Sequence, residues 1–362
     1  MTLPTKQYAT ILVVMPKYIG DAIMATPALR LLEQLHPNAV ITLFCRNNAV
    51  YELFTHHSCY QVVLDECVNG KQHLRQSRQQ IQQISPDVAY LFRNNFFDAL
   101  LLKLAGVPRI IGYQHDGRGW LLDYKEKIDR VRHYINHYAH LVNASHQFPF
   151  KRLPDTHLQA NADTFKQDCI QVAVYAGSKQ KGTRCFPTSS LVNLIAGLYE
   201  QCDKFSQKVL FTLIGAKDEQ DYAAQIAEQL QHQAITVVNQ AGQTTVSELV
   251  DLIAAQNLLI TIDSSPMHIA AALKVNSLVL VNHGTSPWSV VAPKVATTLA
   301  VLPLGNMIEN EDQSHDLDMA HALSLSCQLL NISEQGLAEQ NKQDEGSSPL
   351  ENYVETTQEK LE

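Results

Sequence analysis

Two short stretches of the chain hold residues able to do group-transfer chemistry. The first is Ile19-Gly20-Asp21, which follows the apolar run Ile11–Met15. A strand ending there, a turn at Gly20 and a helix starting near Asp21 set a carboxylate at the mouth of a cleft. In that place it can act as general base on a hydroxyl nucleophile. A helix-capping aspartate occupies the same position, and the two roles are compatible. The second stretch, Asp263-Ser264-Ser265-Pro266-Met267-His268, follows the apolar run Leu258–Ile262. Small residues with a proline in the first helical turn leave backbone N–H groups pointing outward, an arrangement that binds phosphate. The hydroxyls of Ser264 and Ser265 can add hydrogen bonds, and His268 lies one turn further in. An ordinary capped helix with a packed histidine accounts for the same residues. Gly20 stands alone, and Gly177, Gly182, Gly215 and Gly242 form neither GxGxxG nor GxxxxGK[ST]. Nicotinamide and P-loop chemistry are therefore disfavoured.

Elements that could position these motifs follow from the apolar pattern. Strands are expected at Ile11–Met15, Val40–Phe44, Val88–Phe92 and Arg109–Gly112, with helices over Asp21–Leu35, Leu74–Ile84 and Phe96–Ala105. The rhythm restarts after Cys169. Strands are expected at Ile170–Tyr175, Val209–Ile214, Thr236–Val238, Leu258–Ile262 and Ser277–Val281. The intervening helices are Ser189–Gln201, Gln220–Gln231, Val246–Ala255 and Pro266–Leu273, and a last helix covers Ala320–Leu330. Strand–helix alternation means parallel βαβ units, an α/β class with two doubly wound halves facing a cleft. Ligands in such folds sit beyond the carboxyl ends of the strands. The polar, proline-containing stretch His146–Thr164 reads as the linker. The expected division is 1–165, 166–332 and a Glu/Gln/Ser-rich tail, 333–362, that is expected to be disordered.

Composition removes several function classes. The chain has 362 residues, 45% hydrophobic and 18% charged, with a formal charge of −8. Much of that charge lies in the tail, where eight acidic residues face two lysines after Ile332. Without a basic excess, nucleic acid is not expected as a partner. No run approaches the roughly 20 apolar residues of a membrane span, so neither a span nor an export signal is expected. Seven scattered cysteines without a CxxC pair fit a reducing compartment, so a cytoplasmic location is expected.

With these motifs in view, the chain resembles the ADP-heptose:lipopolysaccharide heptosyltransferases, glycosyltransferase family 9. The resemblance rests on Ile19-Gly20-Asp21 with Ala25-Thr26-Pro27-Ala28-Leu29-Arg30, and on Asp263 to Ala271 followed by Gly284-Thr285-Ser286-Pro287. Asp87-Val88-Ala89-Tyr90 and Leu102 to Tyr113 also fit the family pattern, so the likeness runs in order from about Ile11 to about Leu330. It implies a GT-B fold and an inverting transfer without metal or cofactor. The donor is a nucleotide sugar, ADP-heptose, and the acceptor a Kdo-bearing lipid A core at the inner face of the membrane. Asp21 would be the base, with Gly20 beside the acceptor. Asp263, Ser264, Ser265, Met267 and His268 would face the donor diphosphate, mostly through backbone groups, and Glu219 would hold the donor ribose. Gly177, Ser178, Lys181 and Arg184 match the loop that brings a cation to the phosphate. Arg184 stands where the family usually has Lys, and Ser265 where it usually has Gly. A family member with another nucleotide sugar or acceptor, or a non-catalytic nucleotide-sugar-binding protein, is the alternative expectation.

Two further groups carry residue types able to bind a metal or an anion. His133, His137 and His140 share a helix face at i, i+4 and i+7, a spacing that can bind metal. A surface helix carrying Tyr134 and Tyr138 is the preferred reading, and no metal is expected. Lys103, Arg109, Arg118, Lys125, Lys127, Arg130 and Arg132 concentrate positive charge in the first half. That suits an anionic acceptor or an anionic membrane face. Arg93 and Arg118 are the expected acceptor contacts.

Overall fold

Aliphatic and β-branched runs without polar alternation pack only where both faces of a sheet are covered, which is the condition of a parallel sheet. Ile11, Leu12 and Val13 meet it in the first half, and Leu258, Leu259 and Ile260 in the second, all fully buried. The computed structural model describes residues 7–65, 73–129, 131–175, 177, 186–281, 286–303 and 317–332. The first half places β1 (Thr10–Val14), β2 (Val40–Cys45), β3 (Gln61–Leu64), β4 (Val88–Leu91), β5 (Ile110–Gln114) and β6 (Tyr124–Lys127) in one sheet. Its helices are α1 (Ile19–Met24), α2 (Thr26–Leu35), α3 (Asn48–Leu53), α4 (His73–Ile84), α5 (Phe96–Ala105) and α6 (Tyr134–Ser145). The second half has β7 (Ile170–Tyr175), β8 (Val209–Leu213), β9 (Val237–Asn239), β10 (Leu258–Ile262), β11 (Ser277–Leu280) and β12 (Thr298–Val301). Its helices are α7 (Thr188–Lys204), α8 (Gln220–Gln231), α9 (Val246–Ala254), α10 (Ser265–Leu273), α11 (Trp288–Val291) and α12 (Met319–Leu329).

Each sheet has six strands, in the orders β3-β2-β1-β4-β5-β6 and β12-β11-β10-β7-β8-β9, and every pairing is parallel. Counted within its own half, each sheet therefore has the doubly wound order 3-2-1-4-5-6. The strand order reverses between β1 and β4 in one sheet and between β7 and β10 in the other. These reversals are where such folds open a crevice for a ligand. The residues leaving β1 and β10 are the two motifs singled out above.

The expected helix Asp21–Leu35 is two helices. Pro27 has no N–H to bond the Ile23 carbonyl, so the ladder breaks at Ala25. The Thr26 hydroxyl donates to that carbonyl at 2.7 Å and closes the gap. Asp21 lies in the first turn of α1, whose N-cap is Tyr18, so it is not the cap. Short or polar elements went unanticipated: α3, β3, β6, α11 and β12. The linker is pinned rather than loose. The His157 N–H donates to Thr26 Oγ1, the Gln159 N–H to His57 Nε2 and the Asn161 N–H to Asp251 Oδ1. The expected acidic tail, 333–362, lies outside the described residues.

Candidate active site

The chain turns out of β1 through residues 15–18 into α1, and out of β10 through Asp263 and Ser264 into α10. The two helices pack against each other across the junction of the halves. Gly20 meets His268 there. A Cβ placed on Gly20 would lie 2.8 Å from His268 Cδ2, so only glycine lets the imidazole lie against this backbone. The two sequence motifs are thus brought into van der Waals contact.

Asp21 follows Gly20 and is half-buried. Among the described residues nothing hydrogen-bonds its carboxylate. Burial without a partner raises its pKa from 3.8 to about 6. The Tyr138 phenol, held above its own ordinary value mainly by burial, lies close enough to feel the Asp21 charge. A desolvated carboxylate with a pKa just below neutrality is suited to taking a proton from a hydroxyl. His268 is buried, and desolvation, then the neighbouring His133, lowers its pKa to about 4. At neutral pH it is an uncharged imidazole, a hydrogen-bonding group rather than a cation.

At the start of α10 the N-cap is Ser264, with Pro266 in the first turn as expected. Among the described residues, nothing hydrogen-bonds the side chains of Ser264 or Ser265. Met267 is different: its side chain is fully buried with Val279 and Val281, and its N–H donates to the Ser264 carbonyl at 3.2 Å. Gly177, just past β7, has φ of +77°, which favours glycine. Ser178, Lys181 and Arg184 lie outside the described residues. Glu219 is only 2% exposed; it accepts from the Tyr175 hydroxyl at 2.9 Å and from the Ala216 N–H at 2.7 Å. It sits at the carboxyl ends of β7 and β8.

The expected acceptor arginines have different fates. Arg118 is fully buried. Its Nε donates to the Tyr113 carbonyl, Nη1 to the Arg93 and Asn95 carbonyls, and Nη2 to Asn94 Oδ1. A guanidinium so engaged braces the loop after β4 and has no face left for a ligand. Burial lowers its pKa to about 10, so it stays charged at neutral pH. Arg118→Leu would leave these acceptors unpaired. We expect a loss of about 2 kcal/mol in urea unfolding, from the desolvation cost of each orphaned group. Arg93 lies just past β4, half-buried, with Nη1 3.5 Å from Asp98. Asp98 also receives Arg46 Nη2 at 2.9 Å, and Arg46 pairs with Asp65 as well. Sequence reasoning passed over Arg46, although it directly follows β2 at the ligand-facing end of the sheet.

The three histidines do not converge. His133 is the N-cap of α6 and bonds the Ala292 carbonyl through Nε2 at 2.8 Å, tying the halves together. His137 is buried and stacks on Tyr113 at 3.9 Å, and His140 points to Glu126. The expected surface helix is largely buried, since α6 packs on α2. Among the described residues no group of three His, Cys, Asp or Glu side chains is placed to hold a metal. A second tie joins the halves at α3 and α9, where Glu52 accepts from the Val246 N–H at 2.8 Å.

The model of glycosyltransferase family 9 (heptosyltransferase) matches residues 74–302. Lipooligosaccharide heptosyltransferase 2 of Campylobacter jejuni is 23% identical over 281 residues, which cover 76% of this chain and 82% of that protein. Lipopolysaccharide heptosyltransferase 2 of Escherichia coli K12 is 26% identical over 293 residues, 73% of this chain and 80% of the relative. The solved structure of E. coli ADP-heptose lps heptosyltransferase II superposes with a TM-score of 0.72 at 21% identity, covering 89% of this chain and 98% of that one. The fold is therefore GT-B. Among the described residues no helix is long and apolar enough to cross a membrane.

Proposed function

The chain belongs to glycosyltransferase family 9 (heptosyltransferase), and from that premise we propose that it transfers heptose from ADP-heptose to the inner core of lipopolysaccharide. The names of its relatives carry ADP-heptose and lipopolysaccharide, and the inner core is our reading of the acceptor. The observation that carries the reading is the contact of Gly20 with His268, which packs α1, the helix that carries the desolvated Asp21, against α10, the helix that follows β10.

The acceptor hydroxyl gives its proton to Asp21 and attacks the anomeric carbon from the side opposite the leaving diphosphate. The C–O bond to the phosphate breaks, and the product has inverted configuration. Negative charge growing on the leaving group is met by the N–H groups and hydroxyls of Ser264 and Ser265 at the α10 N-terminus. Asp263 and His268 shape that end of the site. Gly177 leads into the segment whose Ser178, Lys181 and Arg184 would supply donors and a fixed cation. With these groups present the step calls for no metal. Glu219, at the carboxyl ends of β7 and β8, would hold a ribose hydroxyl. On the acceptor side, Gly20 and Arg93 line the approach, and Arg118 holds Arg93 in place. We put the boundary between acceptor and donor halves in the pinned linker, near residue 165, and the site of action at the cytoplasmic face of the membrane.

The test is transfer from ADP-heptose to Kdo-terminated lipid A, read by mass spectrometry. A gain of one heptose is expected. A gain only on an acceptor that already carries heptose would place the enzyme at the next core step. No transfer to either, with ADP still bound, would reject the acceptor.

A further inference from the structure

We propose that the outer flank of the first half, formed by α5 and the turn before β6, is a docking surface for an anionic lipid bilayer. α5 is apolar nearly all round; the sheet covers one side of it and α4 another. Leu101 and Leu102 are buried against the core. Phe97 and Leu104, two turns apart at i and i+7, face outward, 60% and 50% exposed, with the half-buried Leu100 between them packed against the core. Trp120 is 72% exposed and continues the patch, its ring 6.5 Å from that of Phe96, which in turn meets Phe97 at 5.9 Å. Leaving so many large apolar groups in water on one helix face is costly and marks a surface that is covered in use.

Charge decides between occupants. Beside Trp120 a depression of about 610 Å³ is lined by Lys125 and Lys127, both exposed on the same side of β6. The nearby acids are engaged elsewhere. Asp123 pairs with Lys103 and accepts from the Ile110 N–H, Asp116 pairs with His115, and Glu126 lies on the other side of β6, against Tyr124 and His140. Among the described residues neither Lys125 nor Lys127 has an acidic partner. Exposed tryptophan and phenylalanine beside unpaired lysines suit the boundary of an anionic bilayer, with rings at the level of the headgroups and ammonium groups on lipid phosphates. The lipid partner follows from the acceptor proposed above, so this inference rests on that reading. The patch lies beyond β4 and β6, on the half that would receive a lipid-anchored sugar.

The test uses the full chain and vesicles without substrate, so it is independent of transfer. Cosedimentation is measured with phosphatidylethanolamine–phosphatidylglycerol vesicles and with pure phosphatidylcholine vesicles. Binding to the anionic vesicles is expected, weakened about tenfold by Phe97→Ser or Trp120→Ser and about fivefold by Lys125→Gln or Lys127→Gln. The chain has two tryptophans, so Trp288→Phe isolates Trp120, whose emission should shift to the blue on the anionic vesicles. On a vesicle-borne acceptor the serine variants should raise KM and leave kcat unchanged. On a deacylated, water-soluble acceptor they should change neither. Absence of vesicle binding, or binding indifferent to these four residues, overturns the proposal. So does a dimer in sedimentation velocity that Trp120→Ser dissolves, which would make the face a contact between copies. Vesicle binding without heptose transfer would leave this inference standing and remove the substrate reading.

Discussion

Asp21→Asn is expected to give a protein that is inactive and more stable at the same time. The carboxylate is buried without a described partner, and its pKa stands at about 6 against an ordinary 3.8. The folded state therefore holds the proton more tightly than the unfolded chain. Stability from this group is fully present below pH 3.8, falls as pH rises towards 6, and stays lost above that. Near pH 8 the ionised carboxylate costs the fold on the order of 2 kcal/mol, after allowance for its partial exposure. The amide removes that cost, so melting near pH 8 should rise by several degrees. The gain should shrink steadily below pH 6 and vanish near pH 3, where the wild-type carboxyl is protonated in both states. Activity moves the other way. Loss of the base should lower kcat by about 10²–10⁴. The wild-type rate should fall with acid around the pKa of about 6, a limb that the variant lacks. Melting and turnover measured on the same two proteins at both pH values test this. A variant with unchanged melting near pH 8 would mean that Asp21 finds a partner in solution, and retained turnover would mean that another group takes the proton.

The carboxylate is costly to hold because of where it lies, and its place was half legible in the sequence. Apolar runs such as Leu258–Ile262 and Ile170–Tyr175 marked the central strands, because a strand buried on both faces cannot carry polar residues. Edge elements gave weaker signals. Tyr124–Lys127 is polar in the sequence because β6 packs on one face only. The break between α1 and α2 could have been read from Pro27 and was masked by the apolar stripe running through it. Motif residues were found because their types are unusual at strand ends. Their contacts were not, since nothing local says that Gly20 meets His268. Arg118 illustrates the limit on charge. A basic residue in a basic region suggests a surface contact, yet the backbone carbonyls of residues 93, 95 and 113 converge on its guanidinium. Only the tertiary path of the loop creates that site.

Gly20→Ala tests whether that contact sets the geometry of the reaction. The new methyl would lie 2.8 Å from His268 Cδ2 and 3.3 Å from Nε2, closer than the buried ring tolerates. His268 has little room to retreat, since it is buried in α10 among Met267 and Ile269, which are themselves fully buried. The strain must then push α1 and α10 apart. Asp21 moves with one helix, and the proposed phosphate-binding N-terminus with the other. A displacement of about 1 Å between base and leaving group costs on the order of 10² in rate. We therefore expect kcat to fall about 10²-fold while the variant stays folded, because the clash sits at the junction and not within either sheet. His268→Ala removes the ring that the methyl meets. Adding it to Gly20→Ala should restore most of the lost rate, less whatever His268 contributes through its own hydrogen bonding. A double-mutant cycle on kcat reads this as coupling between neighbours. Independent, additive losses would instead mean that Gly20 matters to the turn out of β1 alone, and that the halves do not set the distance between base and phosphate through this contact.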